Sequence, residues 1–243
     1  MHNLSSFIDR YVAVWNERDA EARRRRIADV WAANGTTCYR LLDARGYEAI
    51  ESRVTGSWDR WLREDKFFFR AASAVSHHQA IKLNFAMLAT DGGKVEANGL
   101  AYSLVDKDGR IVHDYQFNPS THDAPDLAAK YWACCNETDA ARLRTLIAEL
   151  WAENCVLFSK DSEARGRDEL ANAIAAAQRG LLAKNLVVSA ADRSQHHHNV
   201  AHMAWRVGPR DGGAPIGATS ALLIFDDDGR IATAYEFDEP KAV

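Results

Sequence analysis

Only five of the 243 residues are proline and four are cysteine, and no low-complexity tract interrupts the chain. With 47% apolar and 26% charged residues, that scarcity excludes a fibrous or disordered chain and leaves the composition of a globular protein. The cysteines, Cys38, Cys134, Cys135 and Cys155, form no Cys-x-x-Cys pair. They read as reduced thiols serving as small apolar side chains, not as a metal or redox site. Basic charge is not in excess: a formal charge of −4 argues against a chain that coats nucleic acid. The run "RRRR" (23 to 26) reads as a solvated helix face. No apolar run approaches the roughly 20 residues needed to span a bilayer. The opening "MHNLSSFIDR" has neither a basic leader nor an apolar segment of signal-peptide length, so a cytoplasmic location is expected. No glycine-rich phosphate loop follows a strand, and nothing calls for a nucleotide.

What is present is a repeat. "IADVWAAN" (27 to 34) returns as "IAELWAEN" (147 to 154), and a shift of 120 residues brings further landmarks together without a gap. "YVAVWNERDA" (11 to 20) meets "YWACCNETDA" (131 to 140), "ARGYEAI" (44 to 50) meets "ARGRDEL" (164 to 170), and "DKDGRI" (106 to 111) meets "DDDGRI" (226 to 231). A solenoid needs more copies at a shorter period, so this is a duplicated domain, 1–119 and 120–243. The join is expected near "NPSTHDAP" (118 to 125), where two prolines and small polar residues break the pattern. The ungapped duplication predicts that the copies pair as an internal pseudo-dimer.

Within each copy the period changes once. Phe7, Tyr11, Val14 and Trp15 share one helical face, as do Ile27, Val30 and Trp31, and a further helix follows "RG". Beyond it the period falls to two: Ile81, Leu83, Phe85 and Met87 alternate with Ala80, Lys82, Asn84 and Ala86. Two more strands follow, at about 95 to 105 and 110 to 118, joined by a "DGR" turn. Helices first and an antiparallel meander after predict an α+β domain with helices packed on one sheet face.

A helix ending "Y-x-A-x-x-N-x-x-D", a second helix ending "W-A-x-N", a "G-x-x-x-I/L" helix and the closing "DG+I…F" strand pair resemble the nuclear transport factor 2-like superfamily, the SnoaL-like branch above all. The resemblance covers nearly all of both copies. It implies a cone, with a curved sheet wrapped around helices and an apolar pocket inside, on which isomerases, cyclases, dehydratases and non-catalytic binders are built. The fold alone names no reaction. The family's ketosteroid isomerases carry a first-helix tyrosine, which falls on Tyr11 and Tyr131. Their base position falls near Tyr39 and Ser159 and their second aspartate near Ala101 and Ala221, so neither copy has that pair of carboxylates. SnoaL-like cyclases place an acid on the last strand, which falls on Gln116 in copy one and Glu236 in copy two.

Strand alternation gives the same point: Ile111, Tyr115 and Phe117 on one face, Asp114, Gln116 and Asn118 on the other, with Ala234, Glu236 and Asp238 as the counterparts. A carboxylate against apolar walls is raised towards neutrality, which suits acid/base work. The alternative is that Glu236 is a solvated charge at the sheet rim. "SHHQ" and "QHHHN" place His77 opposite His197, and parity with Ile81 and Met203 turns both inward; His197 is the candidate proton partner of Glu236. A three-histidine zinc site is not favoured, because consecutive strand residues diverge. The expected catalytic set is therefore Glu236, His197, Tyr131 and Asp238, in copy two. The expected ligand-lining set is Tyr11, Trp15, Tyr39, His77, Phe85, Asp114, Gln116 and Trp205. The function expected is binding of a small apolar organic molecule, with isomerase, cyclase or lyase chemistry that uses no metal and no other cofactor. A non-catalytic binding or scaffolding module is the alternative.

Overall fold

The structure is a computed structural model and describes residues 3–64, 66–118, 125–191 and 194–239. The chain divides into two compact units, Met1–Pro119 and Ser120–Val243. The join expected at 118–125 lies, apart from its two ends, outside the described residues.

Unit one runs α1 (Leu4–Asn16), α2 (Ala20–Val30), β1 (Trp31–Tyr39), β2 (Leu42–Arg45), α3 (Gly46–Trp61), β3 (Phe67–His77), β4 (Ala80–Ala89), β5 (Val95–Val105) and β6 (Ile111–Phe117). Unit two repeats the order: α4 (Pro125–Asn136), α5 (Ala140–Leu150), β7 (Trp151–Phe158), β8 (Glu163–Arg165) and α6 (Gly166–Leu182). It closes with β9 (Leu186–Ala190), β10 (Gln195–His197), β11 (Val200–Pro209), β12 (Gly217–Phe225) and β13 (Ile231–Asp238). No described helix is long and apolar enough to cross a membrane.

Local chemistry sets the helix ends. Asp19 and Asp139 each stand before a helix and accept a backbone N–H at 2.7 Å, from Ala22 and Arg142. That satisfies a donor the first helical turn leaves open. The repeated octapeptide is half helix and half strand: α2 and α5 stop at Val30 and Leu150. Trp31 and Trp151 are already extended, and their indoles fill the centre of each core.

The sheet of unit one has the order β2-β1-β6-β5-β4-β3, and unit two keeps the equivalent order with β9 and β10 both on β11. The meander is antiparallel, but β1 lies parallel to β6 and β7 parallel to β13, so each sheet is mixed. Both are curved. In unit one, Tyr11, Trp15, Ile27, Ile50 and Val54 from the three helices pack onto Ile81, Leu83, Ala101 and Ile111 of the sheet. Unit two repeats this with Tyr131, Ile147 and Leu170 on Met203, Ala221 and Ile231.

One bulge revises the face assignment of the last strand. Leu104 pairs with His113 but Val105 pairs with Ile111, leaving Val112 extra. An extra residue shifts the alternation by one. Ile111 therefore lies on the face of Asp114 and Gln116, not on that of Tyr115 and Phe117. Ala232 does the same in β13, between the pairs Ile224–Thr233 and Phe225–Ile231.

The arginine run is also not a solvated face throughout. Arg23 is buried, lies 5.6 Å from the Trp58 ring centre and donates to the carbonyls of Glu17 and Arg18. Arg24 pairs with Glu51 and Arg26 with Glu17, so the run ties α2 to its neighbours. Cys38, Cys134 and Cys155 are buried free thiols and Cys135 is partly buried.

Candidate functional site

Between the helices and sheet of unit one lies a cavity of about 850 Å³. Tyr11 and Trp15 of α1, Arg53 of α3, Tyr39 of β1, Phe85 of β4 and Gln116 of β6 all reach it. Tyr11 and Trp15 are one helical turn apart and so face the same way. Phe85 meets Phe69 edge to face at 6.1 Å and stands opposite Gly99 in the β4–β5 register. A Cβ on Gly99 would come within 2.1 Å of the Phe85 ring, so the missing side chain is what lets that ring lie along the strand. Leu42 and Trp61, 40% and 38% exposed, stand where the cavity meets solvent.

The polar end of the cavity is a connected cluster. Asp114 is completely buried. Its Oδ1 accepts from Ser103 Oγ at 2.8 Å, and its Oδ2 from Tyr11 Oη at 3.0 Å and Gln116 Nε2 at 2.9 Å. Gln116 Nε2 also donates to Tyr11 Oη at 3.1 Å, and its Oε1 accepts from Arg53 Nη2 at 3.3 Å. Burial pushes the Asp114 carboxyl up to about 6, against the lowering influence of its hydrogen bonds from Ser103, Gln116 and Tyr11. Burial, then the Asp114 charge, raises the Tyr11 phenol well above its ordinary value. Asp114 is not on the cavity wall; Tyr11 and Gln116 are, and they stand between it and the cavity. The arrangement can pass a proton from Asp114 through the Tyr11 hydroxyl to an atom in the cavity.

The arginine escaped the sequence reading. The guanidinium of Arg53 lies 5.2 Å from the centres of both the Trp15 and Tyr39 rings. Burial lowers its pKa from the ordinary arginine value. A signal was available: Arg53 falls one helical turn after Ile50, beside the buried Val54, and the equivalent residue of the second copy is Ala173. Ser103 likewise stands where copy two has Leu223.

In unit two Tyr131 Oη donates to Glu236 Oε1 at 2.9 Å. Burial raises the Glu236 carboxyl to about 7, with a further push from the charge of Asp238. Asp238 itself is exposed at the strand end, so it reaches Glu236 through its field. Trp205 packs on Tyr131 at 5.9 Å and on Trp132 at 5.5 Å. These two tryptophans replace Phe85 and Val12, which border the cavity in unit one. The cavity lies in unit one, which holds most of the expected ligand-lining residues, and not in unit two, which holds the expected catalytic set.

The histidines are not brought to the acids. His77 pairs with Ala80 and His197 with Val200, across two-residue hairpins. Directly paired residues share a sheet face, so both histidines lie opposite the face of Ile81 and Met203. Parity counted through a hairpin gives the wrong side. The register runs His197–Val200–Ile224–Thr233, which leaves Glu236 three strands across and three residues along from His197. His197 instead contacts His198, Nδ1 to Nδ1 at 3.0 Å. Among the described residues no three His, Cys, Asp or Glu side chains form a group able to hold a metal ion. The acidic turns use Asp106 and Asp226 to accept backbone N–H groups of their own loops.

The chain matches no protein-family model and no curated protein. Among solved structures it is similar to a candidate isomerase of the SnoaL-like family from Agrobacterium tumefaciens, at 25% identity and a TM-score of 0.44, over 47% of this chain and 95% of that one. A candidate polyketide cyclase from Sinorhizobium meliloti matches at 21% and 0.38, over 47% and 96%. A protein with a ketosteroid isomerase-like fold from Catenulispora acidiphila, in complex with trimethylamine, matches at 11% and 0.36, over 47% and 86%. Each covers about half of this chain. Both units share one architecture, three helices packed on a mixed sheet, present twice in the chain.

Proposed function

We propose that unit one binds a small, largely apolar organic molecule and moves a proton on it, with Tyr11 meeting the ligand and Asp114 supplying the proton from behind. The observation that carries this reading is a carboxylate with no solvent exposure, joined at 3.0 Å to a phenol on the wall of an 850 Å³ cavity. In its protonated form Asp114 donates to Tyr11 Oη, which turns the Tyr11 proton towards a carbonyl oxygen of the ligand. A water in the open cavity takes the α-hydrogen, and the C–H electron pair forms the new C=C bond. As the carbonyl oxygen takes on charge, the phenol proton passes to it and the Asp114 proton to the phenol, leaving an enol and the Asp114 carboxylate. Isomerisation, cyclisation and elimination next to a carbonyl all use this step.

The test is exchange of the α-hydrogens of 2-tetralone, an enolisable bicyclic ketone, in heavy water, followed by proton NMR. The protein is expected to accelerate exchange. Asp114→Asn and Tyr11→Phe are each expected to lower the acceleration by roughly 10²–10⁴-fold, the range for one general acid. The acceleration is expected to fall as pH rises through about 6, where Asp114 loses its proton. Loss on Glu236→Gln, with Asp114→Asn unaffected, returns the chemistry to unit two. A binding protein without chemistry is the second reading, favoured by the position of Asp114 behind the wall; bound 2-tetralone with no acceleration of exchange would establish it.

A further inference from the structure

Arg53 is held in a way that its structural duties do not require. A guanidinium has five N–H donors in one plane. Here one of them, on Nη2, reaches Gln116, and the Nε hydrogen is buried without a partner. The rings of Trp15 and Tyr39 lie near the guanidinium, which fixes its plane and leaves donors at its edge. The carboxylate close enough to influence it, Asp114, does not pair with it, because Gln116 stands between them and bonds to both. A glutamate in place of Gln116 would set a second carboxylate 2.9 Å from Asp114 and take the cation for the protein itself. The amide keeps the two charges apart. A half-buried cation whose Nε hydrogen has no partner, on the wall of a large, mostly apolar cavity, is completed by a ligand that brings acceptors to it.

We propose that Arg53 is the anchor for a carboxylate on the ligand, so that unit one takes a small organic acid with a flat apolar body. The two oxygens of the acid accept from the guanidinium edge as a parallel pair, the geometry in which arginine differs from lysine. The body then extends over Phe69, Phe85 and Met87 towards the open end of the cavity. Trp15 and Tyr39 do not themselves bond the acid; they hold the guanidinium plane.

This deepens the proposed function and rests on its cavity, so the test separates the two. Titration calorimetry on the full-length protein compares 2-naphthoate with 2-naphthamide, which share shape and differ in charge. The acid is expected to bind roughly 10–100-fold more tightly, the range for hydrogen bonds to charged groups. Arg53→Met is expected to erase that preference while leaving the amide's affinity in place, which also shows that the variant is folded. Arg53→Lys, which keeps the charge and loses the planar fork, is expected to recover only part of it. Equal binding of acid and amide, or a preference that survives Arg53→Met, overturns the anchor and leaves the cavity reading standing. Failure of both molecules to bind overturns the anchor and the cavity reading together.

Discussion

Gly99 has no side chain, and that is its contribution to the site. Its position opposite Phe85 gives the phenyl ring a flat seat on the neighbouring strand. Gly99→Ala must push the ring out of that seat, either into the cavity or against Phe69. We expect a loss of about 1–3 kcal/mol in stability, the usual cost of overpacking, and weaker 2-naphthoate binding. Unchanged thermal midpoint and unchanged affinity would show that the ring has another place to go. The same position in unit two is Thr219, opposite Trp205, so that copy has no such seat. At this scale the sequence was partly legible. The Gln116-to-Glu236 exchange is visible by sliding the copies past each other, and so is the shared tyrosine. That Asp114 is completely buried beside Ser103 and Tyr11 was not visible, because burial is a property of the assembled unit.

Elements show the same division between local and assembled information. The helices were legible because each carries its own signal: an apolar stripe at helical spacing and, for α2 and α5, an aspartate in the capping place. Those two caps have the same geometry, and we expect Asp19→Ala and Asp139→Ala each to cost about 1 kcal/mol, read as matching shifts in denaturant midpoint. A cost confined to one copy would mean that the equivalence of the helix starts is only apparent. Strand faces were less legible. Val112 and Ala232 each insert one residue into a strand whose alternation otherwise reads cleanly, and nothing in "GRIVHDYQF" or "GRIATAYEF" marks the insertion. The histidine hairpins failed for a related reason: a face count cannot be carried across a turn. The parallel pairing of β1 with β6 was missed because it depends on residues far apart in sequence.

For the molecule as a whole, one buried acid, Asp114, and one partly buried acid, Glu236, should govern how stability responds to pH. Asp114 is raised to about 6 from an ordinary 3.8 and Glu236 to about 7 from 4.5. The folded chain therefore holds protons that the unfolded chain has already released, so both groups make stability fall as pH rises through those windows. For Asp114 the shift corresponds to about 3 kcal/mol as an order of magnitude. His113, lowered by burial, works in the opposite sense near its own ordinary value and offsets part of the fall. Thermal melts between about pH 5 and 8 should show a declining midpoint, flattened and raised at the alkaline end in the Asp114→Asn, Glu236→Gln double variant. A double variant that melts lower than the parent at pH 8 would mean that the acids' hydrogen bonds outweigh their burial. The order of strands has a further consequence, for the newborn chain. The last strand of each unit is an inner strand of its sheet, pairing with β1 or β7 across 80 residues, as in Trp31 with Ile111 and Trp151 with Ile231. Until β6 emerges from the ribosome, β1 and β5 each wait with a row of backbone groups unpaired, and the same gap opens again before β13. Synthesis thus passes twice through a half-closed sheet with sticky edges, and a released chain that ends just before residue 111 or 231 is the form that should most need a chaperone.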